Sequence, residues 1–305
     1  LEVGNLVFAG YNASNFCINS LWGGQPLANL EQDTRAYYQN LVALNQMAAA
    51  NYCLVHWQCI LSLRDVAASA SLSGHTYLSE AELLPNILAA NDMLTLYFFY
   101  LYKLKLAFLF EELNAASHYA VECRKYLVNG AGFICESAFY LYDSLVALSQ
   151  LSHLVDDSSL LWERGVENQT KLQQYCANYA PMNYQHKVDL GSAEQCRVLG
   201  QKLEAMDLYD RAIKGAQANS YMNEAALAYE LAAKFYLAEG KDLIARAYLQ
   251  EARYHYQLWG ANAKVNHLEQ RYPQLLTAIQ ATTPEIAPAI AVTTREAGVS
   301  LDIAT

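Results

Sequence analysis

The chain has 305 residues, of which 54% are hydrophobic and 16% are charged. This composition excludes an intrinsically disordered protein, which would combine few apolar residues with many charges. With only 14 Gly and 6 Pro, collagen-like and linker proteins are excluded as well. The 30 acidic residues outnumber the 20 basic ones and give a net charge of -10. Because a nucleic-acid-binding surface needs an excess of Lys and Arg, we expect no nucleic-acid partner.

Apolar residues recur along the chain at the spacing of α-helices. Near the C-terminal end, for example, Ile244, Tyr248, Ala252 and Tyr256 follow one another every four residues and share one helix face. Helix-forming residue types dominate, and the alternation typical of strands is rare. The sequence therefore predicts an all-α protein of about a dozen helices.

Short breaks divide this pattern into helices. In chain order they are residues 23–26, the Ser- and Ala-rich segment 67–79, residues 129–132, residues 156–159, residues 180–181, Gly200, residues 219–220, Gly240 and Gly260. Ser79 and Glu82 have the spacing of a capping box at the start of a helix. Pro181 suits the first position of the next helix, where its missing N–H costs nothing.

The most apolar stretch, residues 94–110, contains Lys103 and Lys105. A membrane-spanning helix needs about 20 residues with few charges, so a buried helix of a helical stack is the better prediction, and we expect no membrane partner. The seven cysteines are odd in number and form no CxxC pair. This favours reduced, buried thiols and a cytoplasmic location.

Two segments of the last third resemble each other when Gly200 is aligned with Gly240. The aligned pairs are Ala193 with Ala233, Ala205 with Ala245, Tyr209 with Leu249, and Ala212 with Ala252. These offsets are those of the tetratricopeptide (TPR) helix-turn-helix, in which small residues allow two helices to approach and a large one fills the groove. The period is 40 residues. Weaker echoes centre on Glu111 and on Gly23.

The predicted fold is therefore an all-α, TPR-like helical-repeat superhelix, an α-solenoid with an exposed concave face. The array is expected to cover residues 1–280, or two blocks, 1–66 and 80–280, around a loop. Pro284 and Pro288 disfavour helix, so residues 281–305 are expected to form a flexible linker. Because the chain starts at Leu1 rather than Met, we expect a piece of a longer protein.

No catalytic, cofactor-binding or metal-binding residues are predicted, and no cofactor is expected. The seven histidines lack the spacing of metal ligands, and neither a phosphate-binding glycine loop nor a nucleophile motif occurs. Favourable i, i+4 ion pairs are predicted for Asp207 with Arg211 and for Glu230 with Lys234. Glu111, which follows the apolar stretch, is interpreted as a solvated helix end.

Six strings of the sequence resemble one family. They lie at residues 1–12, 29–33, 180–188, 198–214, 224–241 and 254–276, and residues 300–305 fit as well. They are similar to the helical region of the very large cyanobacterial sensor kinases. Those proteins carry a serine/threonine-kinase-like domain, a STAND-type AAA ATPase, a helical array, a GAF domain and a histidine kinase. None of the family's catalytic motifs matches here, so the resemblance implies serine/threonine and histidine kinase activity in flanking domains only.

The resemblance implies a non-catalytic regulatory and protein-interaction module in signal transduction, which couples an ATPase switch to the sensor and histidine-kinase output. Its partners would be the flanking ATPase, GAF and kinase domains or another protein. The alternative is a receptor for an apolar small molecule. The chain has 23 tyrosines, which either fill gaps between helices or line an aromatic surface. In the receptor, residues 94–110 and 139–151 would form an aromatic concavity that holds the ligand. An enclosed aromatic cavity of more than about 300 Å³ would favour this alternative.

Overall fold

The computed structural model describes residues 5–64, 80–151 and 158–276. Within these ranges the chain forms fourteen α-helices and no strand, which confirms the predicted all-α class. The helices are α1 (Leu6–Trp22), α2 (Leu27–Ala43), α3 (Met47–Arg64), α4 (Glu80–Ala89), α5 (Met93–Leu109), α6 (Leu113–Lys125), α7 (Ile134–Gln150), α8 (Ser158–Lys171), α9 (Pro181–Val198), α10 (Lys202–Ala218), α11 (Met222–Ala238), α12 (Asp242–Trp259), α13 (Asn262–Arg271) and α14 (Pro273–Leu276). A 3₁₀ helix, Leu127–Gly130, precedes α7, and a π-helical segment, Leu172–Ala177, continues α8.

One turn geometry recurs between these helices. At eight turns a residue with positive φ follows the helix, and the next residue donates its N–H to the carbonyl five positions earlier, at 2.8–3.2 Å. This bond satisfies a carbonyl that the helix end would leave unpaired. The eight positive-φ residues are Gly24, Asn45, Asn91, Glu111, Gly200, Ser220, Gly240 and Gly260. The last four lie 20 residues apart, so a common helix-turn unit shapes the last third of the chain.

Neighbouring helices pack as pairs, most extensively α9 with α10 and α11 with α12. Gly200 and Gly240 form the turns inside these two pairs, with φ of 72° and 68°. Pro181 is the first residue of α9, as predicted. The weak echo at residue 23 is wrong by one position, because Gly23 keeps a right-handed conformation and Gly24 adopts the positive φ of 76°.

Helix α5 occupies the centre of the molecule. Fourteen of its seventeen residues are buried, and it packs against α3, α6 and α7. The prediction of a buried helix for this stretch is confirmed, and Lys103 and Lys105 are both buried with it. Among the described helices, none has the length and apolar character that crossing a bilayer would require.

The N-terminal and C-terminal parts of the described chain contact each other. The side-chain amide of Asn223 in α11 donates to the backbone carbonyl of Trp22 at 3.2 Å. Leu27 at the start of α2 lies against Gly260 after α12. One continuous apolar cluster accordingly runs from Ile18 in α1 to Leu268 in α13. The N-terminal and C-terminal parts of the described chain therefore share one core, and α5 is buried within it.

Several predictions fall outside the described residues. These are the loop at 67–79 with its Ser79 cap, residues 156–157 of the break at 156–159, the end of the array near residue 280 and the linker 281–305.

Of the two predicted ion pairs, Glu230 and Lys234 meet at 2.7 Å. The other prediction is wrong, since Arg211 pairs at 2.7 Å with Asp189 of α9, a mostly buried carboxylate that water screens less than an exposed partner on the same helix.

Candidate functional site

The residues of the aligned repeat hold the paired helices together. Ala193, Ala205, Tyr209, Ala212, Ala233, Ala245, Leu249 and Ala252 are all buried, whereas Gly200 and Gly240 lie in exposed turns. The Tyr209 hydroxyl donates to Glu194 of α9, which ties α10 to its partner. None of these ten residues lines either of the two clefts in the described part of the chain.

An aromatic cleft of about 420 Å³ opens beside α1. Helix α1 contributes Phe8, Tyr11, Asn12, Ser14 and Asn15, and the facing walls are Tyr52, Leu94, Phe98 and Phe133. Phe8 is 65% exposed at the surface, and Ser14 is only 4% exposed. Among the described residues, none that lines this cleft is charged. The predicted aromatic concavity at 94–110 and 139–151 is wrong in its extent, because residues 139–148 are buried in the core.

A chain of three polar side chains lies behind the cleft. Ser14 Oγ is 3.3 Å from His56 Nε2, and the other ring nitrogen of His56 is 2.9 Å from the Tyr102 hydroxyl. Burial lowers the pKa of His56 to about 3 and raises the pKa of Tyr102 well above its ordinary value. Both groups are therefore neutral at physiological pH.

Two proton arrangements satisfy these distances, and burial decides between them. If His56 donated to Tyr102, the Tyr102 proton would be buried without an acceptor among the described residues, which costs about 1–3 kcal/mol. If Tyr102 donates to Nδ1, then Nε2 carries the other proton and donates to Ser14. In that arrangement the Ser14 proton remains unpaired, and Ser14 lines the cleft, where water or a ligand can accept it. The second arrangement is the stable one.

This arrangement distinguishes the site from a catalytic triad. A serine nucleophile needs a histidine nitrogen that accepts its proton, whereas in the arrangement that burial favours His56 Nε2 carries a proton of its own. In this arrangement Ser14 is a hydrogen-bond donor at the base of an aromatic cleft. In the sequence His56 is one of several scattered histidines, because its partners lie 42 and 46 residues away.

A second, charged cleft of about 410 Å³ is lined by residues of α9, α11 and the end of α13. Glu111 is central to it. Its carboxylate is 2.8 Å from Lys234 Nζ, 3.2 Å from Arg271 Nε and 3.4 Å from the Tyr272 hydroxyl. Burial alone would raise the pKa of Glu111, but Lys234 outweighs burial and lowers it. The interpretation of Glu111 as a solvated helix end is wrong, since it joins the turn before α6 to α11 and to the turn before α14.

Behind Glu111 lies a fully buried ion pair. Lys264 of α13 is 2.9 Å from Glu230 of α11 and also donates to the carbonyl of Leu109 at the end of α5. Tyr256 donates to the second oxygen of Glu230 at 2.9 Å. Burial raises the pKa of Glu230, but Lys234 and Lys264 outweigh it and hold the value at about 2. The C-terminal helices are therefore fixed to the central helix by charges that water does not reach.

Lys105 is the buried cation at the middle of the molecule. Its ammonium lies 4.1 Å from the ring centre of Trp22 and 5.0 Å from that of Trp259. No hydrogen-bond partner reaches it within the described part of the chain, and burial lowers its pKa to about 8. Cation–π attraction therefore connects α5 to α1 and α12.

The described residues hold no group of His, Cys, Asp or Glu side chains arranged for a metal ion. The seven cysteines are free thiols, five of them buried.

Comparison with known proteins gives one partial similarity. Over 61 residues, 20% of the chain, the sequence is 43% identical to hybrid signal transduction histidine kinase G of Dictyostelium discoideum. The aligned segment is 2% of that protein's length. No family model matches the chain, and no solved structure matches it. The similarity links part of this helical chain to a signal-transduction histidine kinase.

Proposed function

We propose that the chain is a non-catalytic regulatory and protein-interaction module of a multidomain signal-transduction kinase. It would couple an ATPase switch to sensor and histidine-kinase output in the cytoplasm. The observation that carries the proposal is the 43% identity over 61 residues to a hybrid histidine kinase. The packed helix pairs with their 20-residue turn spacing support a TPR-like array, a fold that binds partners along its surface. The partners would be flanking ATPase, GAF and kinase domains or another protein.

The charged cleft offers a physical route for coupling. Helices α13 and α14 lie at the C-terminal end of the described chain, and Glu111 holds the end of α13 and the turn before α14 through Arg271 and Tyr272. The Arg271 side chain is 63% exposed, so a partner that binds its guanidinium would replace Glu111 at a small cost in free energy. Such competition would loosen the end of α13 and the turn before α14, while the buried Glu230–Lys264 pair keeps the start of α13 in place.

The test uses the kinase that contains this chain, identified from the adjoining coding region. We expect Glu111→Gln to change the rate of histidine autophosphorylation severalfold, because it removes the ionic contact to Arg271 and Lys234. Glu122→Gln is the matched control, since Glu122 belongs to an exposed i, i+3 pair with Lys125 on α6. Adjoining sequence without kinase domains, or equal rates for both variants and the wild type, would refute the proposal.

The aromatic cleft favours a second candidate, a small-molecule receptor module. Its volume of about 420 Å³ exceeds the roughly 300 Å³ at which ligand pockets begin. The cleft is open to solvent beside Phe8, which is 65% exposed, so it is not the enclosed cavity that the sequence-based criterion required. Five of its nine lining residues are aromatic, and none is charged. In this function an apolar ligand, rather than a protein partner, would be the signal that the array senses.

A further inference from the structure

We propose that the cleft beside α1 binds an uncharged, planar aromatic compound that carries a hydrogen-bond acceptor such as a carbonyl group. The proposal deepens the receptor function just described and rests on it. It assigns Ser14 as the donor that recognises the acceptor, and His56, which accepts a hydrogen bond from Tyr102, as the side chain that sets the direction of that donor.

The walls of the cleft select the aromatic part of the ligand. Helix α1 presents Phe8, Tyr11, Asn12 and Asn15 at the i, i+3, i+4 and i+7 positions of one face. In the other wall the rings pack edge-to-face against one another, with 5.8 Å between the ring centres of Tyr52 and Phe98 and 5.7 Å between those of Phe98 and Phe133. Their positions are fixed before a ligand arrives. Fixed aromatic walls favour a flat aromatic ligand, because little side-chain freedom is lost on binding.

The lining excludes charged ligands. None of the nine side chains is ionic, and burial, followed by Asp92, raises the pKa of Tyr52 to about 12, so its hydroxyl stays neutral. A charged ligand would lose its hydration and find no counter-ion among the nine lining side chains, because Asp92 lies outside the lining and its carboxylate is hydrogen-bonded to Thr95. Neutral ligands therefore bind preferentially.

The hydrogen-bond chain selects the acceptor. Tyr102 must donate to His56, His56 then donates to Ser14, and the Ser14 proton remains available to the cleft. A ligand carbonyl satisfies this proton, whereas a ligand without an acceptor displaces water and leaves it unpaired. The net value of such a bond, about 0.5–1.5 kcal/mol, corresponds to roughly three- to tenfold in affinity.

The experiment compares two neutral probes of equal shape, acetylnaphthalene and ethylnaphthalene with the substituent at the same ring position. Equilibrium dialysis against the full 305-residue chain gives the affinity of each. Because hydration of the carbonyl affects every protein variant equally, the ratio of the two affinities, compared between variants, isolates the Ser14 bond. We expect Ser14→Ala to reduce the preference for acetylnaphthalene about three- to tenfold and to leave ethylnaphthalene binding nearly unchanged.

Tyr102→Phe is the second variant, and Tyr102 does not line the cleft. It removes the donor to His56 Nδ1, but a proton moved to Nδ1 would be buried without an acceptor, so the proton stays on Nε2 and Ser14 still donates to the ligand. We expect Tyr102→Phe to keep the preference that Ser14→Ala loses. Ser20→Ala, a buried serine of α1 outside the cleft, should keep the wild-type preference.

Three results would overturn the proposal: no binding of either probe to the wild type up to its solubility, a loss of preference in Tyr102→Phe as large as in Ser14→Ala, or an unchanged preference in a folded Ser14→Ala protein. Circular dichroism identifies variants that do not fold, and Ser14→Cys, which has a similar size and a weaker donor, replaces Ser14→Ala if that protein does not fold. None of these measurements involves kinase activity. A failure here therefore leaves the autophosphorylation test of the regulatory function standing.

Discussion

Individual residues in the turns carry a measurable conformational cost. Ser220 adopts a φ of 65° at a position where Gly240 and Gly200 have the same geometry. A side chain with a Cβ atom is disfavoured in this region by about 1 kcal/mol relative to glycine. We predict that Ser220→Gly raises the free energy of unfolding by about 1 kcal/mol, measured by urea denaturation. Lys214→Gly, at an exposed interior position of α10, should lower it by a similar amount, about 1 kcal/mol. A loss of stability in both variants would contradict the turn geometry.

The turns also show which residues with positive φ can be recognised from the sequence. A search for glycine identifies Gly200, Gly240 and Gly260, because glycine is the residue that positive φ favours. Asn45 and Asn91 adopt the same conformation, and Asn is the next most tolerant residue, so their turns were within reach of the sequence. The turn at Glu111 could not be recognised in this way, because nothing in its local sequence indicates positive φ. Its conformation is compensated by the ion pairs to Lys234 and Arg271, which are more than 120 residues away.

At the level of helix pairs, packing depends on small residues at the contacts. Ala245 of α12 is completely buried, whereas Ala247, two positions further on the same helix, is exposed. We predict that Ala245→Leu lowers the free energy of unfolding by about 1–3 kcal/mol, because the larger side chain pushes α12 away from the helix against which it packs. Ala247→Leu should change it by less than about 0.5 kcal/mol. Thermal unfolding followed by circular dichroism tests both, and equal shifts would mean that the contact at Ala245 is not tight.

The buried pair between α11 and α13 makes stability depend on pH. In the folded protein Glu230 has a pKa of about 2, against an ordinary value of 4.5. The unfolded chain therefore takes up the proton first, and the stabilisation is present above about pH 4.5 and is lost as the pH falls toward 2. We predict that Glu230→Gln lowers stability by about 3 kcal/mol at pH 7 and that the difference from the wild type narrows over this acid range.

The control is Glu167→Gln, which breaks the exposed i, i+4 pair with Lys171. Its effect should be small at every pH, because exposed pairs contribute little. A difference between Glu230→Gln and the wild type that stays constant from pH 7 down to pH 2 would show that the charge of Glu230 is not responsible.

The helices and the repeat register were accessible from sequence, because 3.6-residue periodicity and small residues at fixed offsets are local signals. The contacts that assemble the helices were not accessible from the sequence. Asp189 pairs with Arg211 in place of Asp207, and Ser14 meets His56, only after separate helices pack together. Both candidate clefts depend on such contacts, so neither could be located before the fold was known.

At the scale of the whole molecule, the closure between the N-terminal and C-terminal parts depends on Gly24. A Cβ atom at this position would come within 2.5 Å of Asn223 Oδ1 and 3.1 Å of the Met222 nitrogen. Gly200 has a similar φ, 72° against 76°, but a Cβ atom there would meet nothing within 4 Å. The two glycines thus share the backbone requirement and differ only in the closure contact.

We predict that Gly200→Ala costs about 1 kcal/mol from the backbone alone. Gly24→Ala should cost about 1–3 kcal/mol more, because it also pushes α11 away from α1. Chemical denaturation measures both. Equal costs would show that the two parts of the chain are not held together at this point.

The bond between Trp22 and Asn223 also constrains how the protein is made. It joins residues 201 positions apart, and synthesis delivers the N-terminal helices first. The turn between α1 and α2, with Gly24 and Leu27, therefore waits for its partners at Asn223 and Gly260 while the ribosome adds most of the remaining chain. Contacts of such long sequence separation form slowly, so this end of the nascent chain stays open until α11 and α12 emerge. A chain terminated before Asn223 would lack the residues that close it.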